Sequence, residues 1–175
     1  AYSLVPVHRP LVEEYTGTKC GWCPRGLVGM ARMRKLYGDD FVGVSYHQYD
    51  ESDPMDFGYV YSNRVTGFPI AYLDRDVETD PFLGFETLGF HFDKVWEIVR
   101  DEFVPVGVDL TASFTDEAQT ESEVRSFTTA AFDTTANYRL TYILTADSLS
   151  GTGSEWGQVN SLAGATTSYP DDDMK

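Results

Sequence analysis

Cys20 and Cys23 are the only thiols in this 175-residue chain, and two residues separate them in Thr18-Lys19-Cys20-Gly21-Trp22-Cys23-Pro24-Arg25. That spacing suits a dithiol that opens and closes a disulfide. The pair sits where a strand pattern, Pro10 to Tyr15, gives way to a helix pattern, Gly26 to Tyr37. A helix N-terminus offers unpaired N–H groups and the positive end of the dipole, and both favour thiolate, the reactive form of cysteine. Lys19 and Arg25 flank the pair and act in the same direction. Cys20 is expected outside the first helical turn and reachable, and Cys23 within it and shielded. A structural disulfide without turnover uses the same spacing. Half of a zinc site is a third reading, but zinc wants four ligands. The histidines, His8, His47 and His91, stand far apart, so no metal is expected.

A helix must follow the pair. From about Trp22 to Tyr37, Leu27, Met30, Ala31, Met33 and Leu36 recur at helical spacing, Pro24 fits the first turn, and Gly38-Asp39-Asp40 ends the run. A strand must precede it, and that strand carries Glu13 and Glu14. An acid in a strand through a core is unusual. It lies either at the solvent margin or where a proton is needed. Phe41 to Gln48 reads as a strand covered on both faces. His47 closes that strand and is read as a satisfied strand-end histidine. Asp50 to Pro54 is an acidic loop without calcium-loop spacing, hence solvated. Pro54 to Arg64 suggests a second helix. Gly67-Phe68-Pro69 opens the apolar stretch Ile70 to Leu73, and a proline there is explained by a cis Phe68–Pro69 bond. A short strand is possible after Asp74. Phe92, Val95, Trp96, Val99 and Phe103 mark an amphipathic helix over 90–103.

Beyond Pro105 the period changes to two. Val106 to Phe114, a segment containing Val124 to Phe132, and Tyr138 to Ala146 read as three antiparallel strands with one wet face. Ser148 to Lys175 is rich in Gly, Ser and Thr and ends in acids, as loop and tail do. Residues 1–9 read as an extended edge segment.

Composition excludes several functions. Net charge is -15, and residues 101–175 carry 3 basic against 13 acidic side chains, so a nucleic-acid partner is excluded. No stretch approaches the ~18 apolar residues of a membrane helix. The chain has no initiator Met and no leader pattern, so a processed form or a fragment is expected.

On these residues the first hundred positions resemble the thioredoxin superfamily: a strand ending in Glu14, Cys20-Gly21-Trp22-Cys23, a helix, and Gly67-Phe68-Pro69 before the next strand. The string from Leu11 to Arg25, with the appended β region, is similar to the thioredoxin-like envelope proteins related to the twenty-eight-kilodalton outer-membrane protein. The resemblance implies an α/β fold, thioredoxin-like over 1–103, with a C-terminal antiparallel β region over 104–150 as a partial β-sandwich and a tail over 151–175. It implies thiol–disulfide exchange with protein or peptide substrates and a redox partner, no cofactor, and an extracytoplasmic location. Cys20 would attack and Cys23 resolve. Glu14, at the family's buried acid position, would serve Cys23 as base with a raised pKa. Trp22, Gly67, Phe68 and Pro69 would position substrate. Gly21-Trp22 departs from the family's Gly-Pro, which leaves the potential open, and the direction of electron flow stays open with it. The alternative is a non-catalytic binding module with a structural disulfide.

Overall fold

A computed structural model describes residues 6–58, 65–131 and 135–164. Over these the chain is mixed α/β, with a four-stranded sheet, a two-stranded sheet and two α-helices. Residues 1–5, most of the segment over 54–64 expected as a second helix, Phe132 and the acidic tail lie outside the described residues. The chain divides into two compact units: Arg9–Arg100 with Ile143–Lys175, and Ala1–His8 with Asp101–Tyr142.

The larger unit begins with β1 (Leu11–Thr16), α1 (Pro24–Tyr37) and β2 (Val42–His47). β1 and β2 run parallel, with Glu14 opposite Ser45 and Thr16 opposite His47. β3 (Ile70–Leu73) pairs antiparallel with the other edge of β1, and β4 (Val77–Thr79) completes the order β2-β1-β3-β4. The β3–β4 turn places Asp74 and Arg75 at positive φ, 51° and 61°. Asp74 tolerates that conformation well; its carboxylate also accepts the Leu11 N–H, which ties the turn to β1.

Strand parity divides the sheet into two faces. Val12, Ala71 and Leu73 share a core with Met33 and Phe41 and with Phe92, Val95, Trp96 and Val99 of α2 (Phe92–Arg100). Trp96 packs against Tyr37 with the rings tilted by 36° and their centroids 4.2 Å apart, and it meets Phe41 edge-on at 6.3 Å. On the opposite face Tyr15, Ile70 and Tyr72 form a second cluster, with Tyr46 stacked on Tyr15. The amphipathic reading of α2 holds, except that the helix stops at Arg100 and Phe103 is exposed.

Helix α1 packs differently from its expected face. Leu27, Leu36 and Ala31 are exposed, and the buried residues are Pro24, Gly26, Gly29 and Met33. The reason is close approach. A side chain at Gly29 would run into the Pro81 backbone, and one at Gly26 into Glu14 and Pro69. Glycine lets the helix lie directly on these elements.

The smaller unit is a hairpin of β5 (Val106–Phe114) and β6 (Ser122–Ala130), nine residues each in continuous antiparallel register. Asp116 closes the expected polar turn by accepting the Thr120 and Glu121 N–H groups. The third strand expected over Tyr138–Ala146 does not form: the segment enters no ladder, and Tyr138, Leu140, Tyr142 and Leu144 stay exposed. Alternation is necessary for a half-buried strand, but pairing also requires an edge in register.

Gly29→Ala is expected to destabilise the protein by roughly 1–3 kcal/mol, because the added methyl overpacks against rigid backbone. Helix propensity alone predicts the opposite sign, a gain of up to about 1 kcal/mol. Urea unfolding at constant m-value decides between them.

Candidate functional site

Cys20 and Cys23 form a disulfide, with their Cα atoms 5.3 Å apart. Cys23 is the N-cap of α1, Pro24 follows it, and the Gly26 and Leu27 N–H groups donate to its carbonyl. Ahead of it, the Cys20 N–H donates to Gly17 and the Cys23 N–H to Cys20, so the pair rides on two consecutive tight turns. The strand-to-helix junction is therefore where the sequence puts it.

The first turn of α1 sits over Glu14, which is wholly buried. Ser45 Oγ donates to Glu14 Oε2 at 2.6 Å, across the β1–β2 register. Oε1 meets no hydrogen-bond partner among the described residues, and it is the nearest atom to the space beside Gly26. Pro69 and Pro81 border the same space. Burial pushes the Glu14 carboxyl up to about 7, against the Ser45 hydrogen bond and with help from the Asp80 carboxylate. Asp80 itself is paired to Arg25 at 2.7 Å and accepts the Phe82 and Leu83 N–H groups, so it fixes the loop beneath α1.

Glu13 has the opposite parity and faces the opposite side of the sheet. It too is buried, where Arg75 Nε and Nη2 grip both its oxygens at 2.9 and 3.0 Å and Tyr46 donates at 3.0 Å.

The Phe68–Pro69 peptide is cis. Pro69 is buried, Gly67 exposed, and Phe68 half-buried with its ring edge-on to Tyr49 at 5.3 Å. Trp22 is 50 % exposed.

Two expectations are corrected. Cys20 is not reachable: it is 2 % exposed, and Cys23 is fully buried. The cover is the segment expected as loose tail. The Val159 N–H donates to the Thr18 carbonyl at 2.7 Å and the Ser161 N–H to the Gly21 carbonyl at 2.8 Å. Gln158 Nε2 reaches the Cys20 carbonyl at 3.0 Å and the Gly17 carbonyl at 3.3 Å. Leu162 is buried with Phe82, beside Val28 and Leu83. The second correction concerns the acidic loop, which is not wholly solvated. Asp53 is buried and accepts from the Thr18 N–H at 2.6 Å and the Met55 N–H at 2.9 Å, with His47 Nδ1 at 2.8 Å. Burial works to raise the Asp53 carboxyl, but the Thr18, His47 and Met55 contacts hold it below the usual carboxylate range. His47 is thus the satisfied strand-end histidine expected, and its partner fixes the turn before Cys20.

Sequence reading missed Ser45, Asp53, Asp80 and Gln158–Leu162. Register alone could have found Ser45, opposite Glu14. Nothing local marks the others. Among the described residues no cluster of three metal-ligating side chains forms, and no helix is long and apolar enough to cross a membrane. No family model, curated protein or solved structure matches the chain.

The raised Glu14 pKa has a stability consequence. The folded state holds this proton more tightly than the unfolded chain does. The resulting stability is complete below the unfolded value of about 4.5 and is lost as pH rises through about 7. The loss is on the order of 3 kcal/mol by pH 8. Asp53 titrates in the opposite sense and in a lower window, since a depressed carboxyl gives up stability only as pH falls into the acid range. Glu14→Gln should therefore gain on the parent between pH 5 and 7 and level off by pH 8. Unfolding free energies measured at pH 5, 6, 7 and 8 check this; a constant difference would show that Glu14 does not change charge there.

Proposed function

We propose that the chain is a thiol–disulfide oxidoreductase of thioredoxin-like fold, acting on protein or peptide thiols at Cys20–Cys23. The observation that carries this reading is the convergence at Gly26. A buried carboxyl with a pKa of about 7, the cis Pro69 and the turn bearing Cys23 all meet at the start of α1. A structural disulfide needs no proton acceptor beneath it, and an uncompensated buried carboxyl is costly to keep.

From the oxidised form, a thiolate of a substrate dithiol attacks Cys20 Sγ. The Cys20–Cys23 bond breaks, and Cys23 leaves as thiolate and takes up a proton relayed from Glu14. The substrate's second thiolate then attacks its own sulfur in the mixed disulfide. The substrate disulfide forms and Cys20 leaves as thiolate. Two electrons have passed from the substrate dithiol to the pair. The reverse sequence reduces a substrate disulfide, with an external dithiol restoring the pair. There Glu14 takes the proton from Cys23 as it becomes the nucleophile. In this reading Trp22, half exposed, and Gly67-Phe68-Pro69 orient substrate. An extracytoplasmic compartment, where disulfides persist, belongs to the same reading.

The burial of Cys20 favours a second reading, a binding module whose disulfide is only structural. Trapping separates the two. Cys23→Ser incubated with oxidised glutathione or insulin should hold a mixed disulfide at Cys20, seen as added mass without reductant, and Cys20→Ser should hold none. Glu14→Gln should slow release from the mixed disulfide by roughly a hundredfold at pH 7. If neither the parent nor a variant with Cys20 uncovered accelerates insulin reduction by dithiothreitol, the structural reading stands.

A further inference from the structure

The segment that covers Cys20 is held in the manner of a bound peptide. Val159 and Ser161, two residues apart, point their N–H groups the same way, as in an extended strand. Both donate to the cysteine turn, at the Thr18 and Gly21 carbonyls. Gln158 spans the Gly17 and Cys20 carbonyls with one amide nitrogen. The Asn160 side chain accepts the Leu162 N–H at 2.9 Å and turns the chain so that Leu162 enters the pocket of Phe82, Val28 and Leu83. Every bond from the segment to the turn uses a carbonyl of residues 17–21 as acceptor, at Gly17, Thr18, Cys20 and Gly21. The segment from Gln158 to Leu162 carries no charge, in a chain of net charge -15.

The geometry points to a peptide groove in front of Cys20 that Gln158–Leu162 occupies as a self-docked strap. The groove takes an extended, uncharged segment of a protein or peptide substrate, with an amide side chain at its start and an apolar side chain four residues on. The oxidoreductase reading supplies the substrate, so the inference rests on it. In the strapped form exchange is blocked, and a substrate segment of the same pattern displaces the strap.

Gly21 supplies a specific test. A methyl there would meet the Ser161 Oγ, which can rotate away, and its Cβ at 3.1 Å, tighter than ordinary contact, so the strap itself must shift to admit it. If Ser161 were Gly, the nearest atom would be its backbone N, at an ordinary 3.5 Å. In the full-length protein, Gly21→Ala should speed reduction of the Cys20–Cys23 disulfide by a phosphine at least tenfold, and Ser161→Gly added to it should restore the slow rate. A change in redox potential caused by Gly21→Ala would not be undone at Ser161. The Val159→Pro, Ser161→Pro double variant, which deletes both N–H donors, should match the fast rate. A synthetic peptide spanning residues 156–163 should bind that double variant and slow its reduction again, and the same peptide with Asp in place of Leu162 should not. Parent-like reduction rates in both opened variants, or no rescue by Ser161→Gly, would overturn the strap. Failure of the peptide to bind the opened protein would overturn the groove. If reduction accelerates, the peptide binds and yet insulin reduction is not catalysed, the strap and groove stand and the oxidoreductase reading falls.

Discussion

The closeness of α1 to the sheet at Gly26 and Gly29 is the constraint on which the site depends. Without Cβ atoms at these positions the first two turns rest directly on Pro81, Pro69 and the Glu14 carboxyl. A conventional helix face of Leu and Met would hold α1 several ångströms higher and let water reach Glu14. The same contact fixes Pro24 and Cys23 at the start of α1. Met33, one turn on, is where the helix returns to ordinary hydrophobic packing with Val12, Leu73 and Trp96. The glycines cost helix propensity, and what they gain is a dry carboxyl under a cysteine turn.

Glu13 and Glu14 show how parity assigns two roles to one residue type. Both are buried on β1, and neighbouring strands supply different company. Toward one face, the positive-φ turn after β3 delivers Arg75, and β2 delivers the Tyr46 hydroxyl, so Glu13 is compensated on both oxygens. Burial and the adjacent Glu13 push the Tyr46 phenol up, which keeps it a donor. Toward the other face, Glu14 receives one hydroxyl and no cation. A compensated carboxylate is a strut, whereas a carboxyl with one free oxygen and a pKa near neutrality can carry a proton.

What the sequence made legible follows from how local each signal is. The cysteine turn, the start of α1 at Pro24, the buried face of α2 and the proline before β3 are written within a few residues, and they stand where the pattern put them. Glu14 was legible because an acid in an apolar strand conflicts with its surroundings. The glycine face of α1 was not, since glycine is silent on a hydrophobicity scale and its meaning lies in Pro81, more than fifty residues away. Asp53 read as one acid among several, and only the fold brings Thr18 and His47 to it. Tyr138–Ala146 failed in the other direction, since its alternation is local but pairing is not. The strap was invisible for the same reason. Val159 and Leu162 are isolated apolar residues in a Gly/Ser/Thr-rich run; the Val159 N–H meets the Thr18 carbonyl about 140 residues earlier, and Leu162 packs on Phe82, about 80 residues earlier.

The strap is also marginal by its energetics, which suits a reversible cover better than a permanent one. Its two backbone hydrogen bonds and two from Gln158 contribute about 0.5–1.5 kcal/mol each, so about 2–6 kcal/mol together. Burial of Leu162 adds about 1.5–3 kcal/mol. Ordering the five residues Gln158–Leu162 costs about 1–2 kcal/mol each, or about 5–10 kcal/mol. Gain and cost cancel to within a few kcal/mol. A permanent cap would carry a broader apolar surface, and this one buries a single leucine. Its hold on the cysteine turn is almost wholly through backbone and amide groups that any extended segment can reproduce. A substrate segment that displaces the strap under the proposal competes with a cover tethered to the same chain, so it must add contacts beyond the hydrogen bonds that the strap already makes.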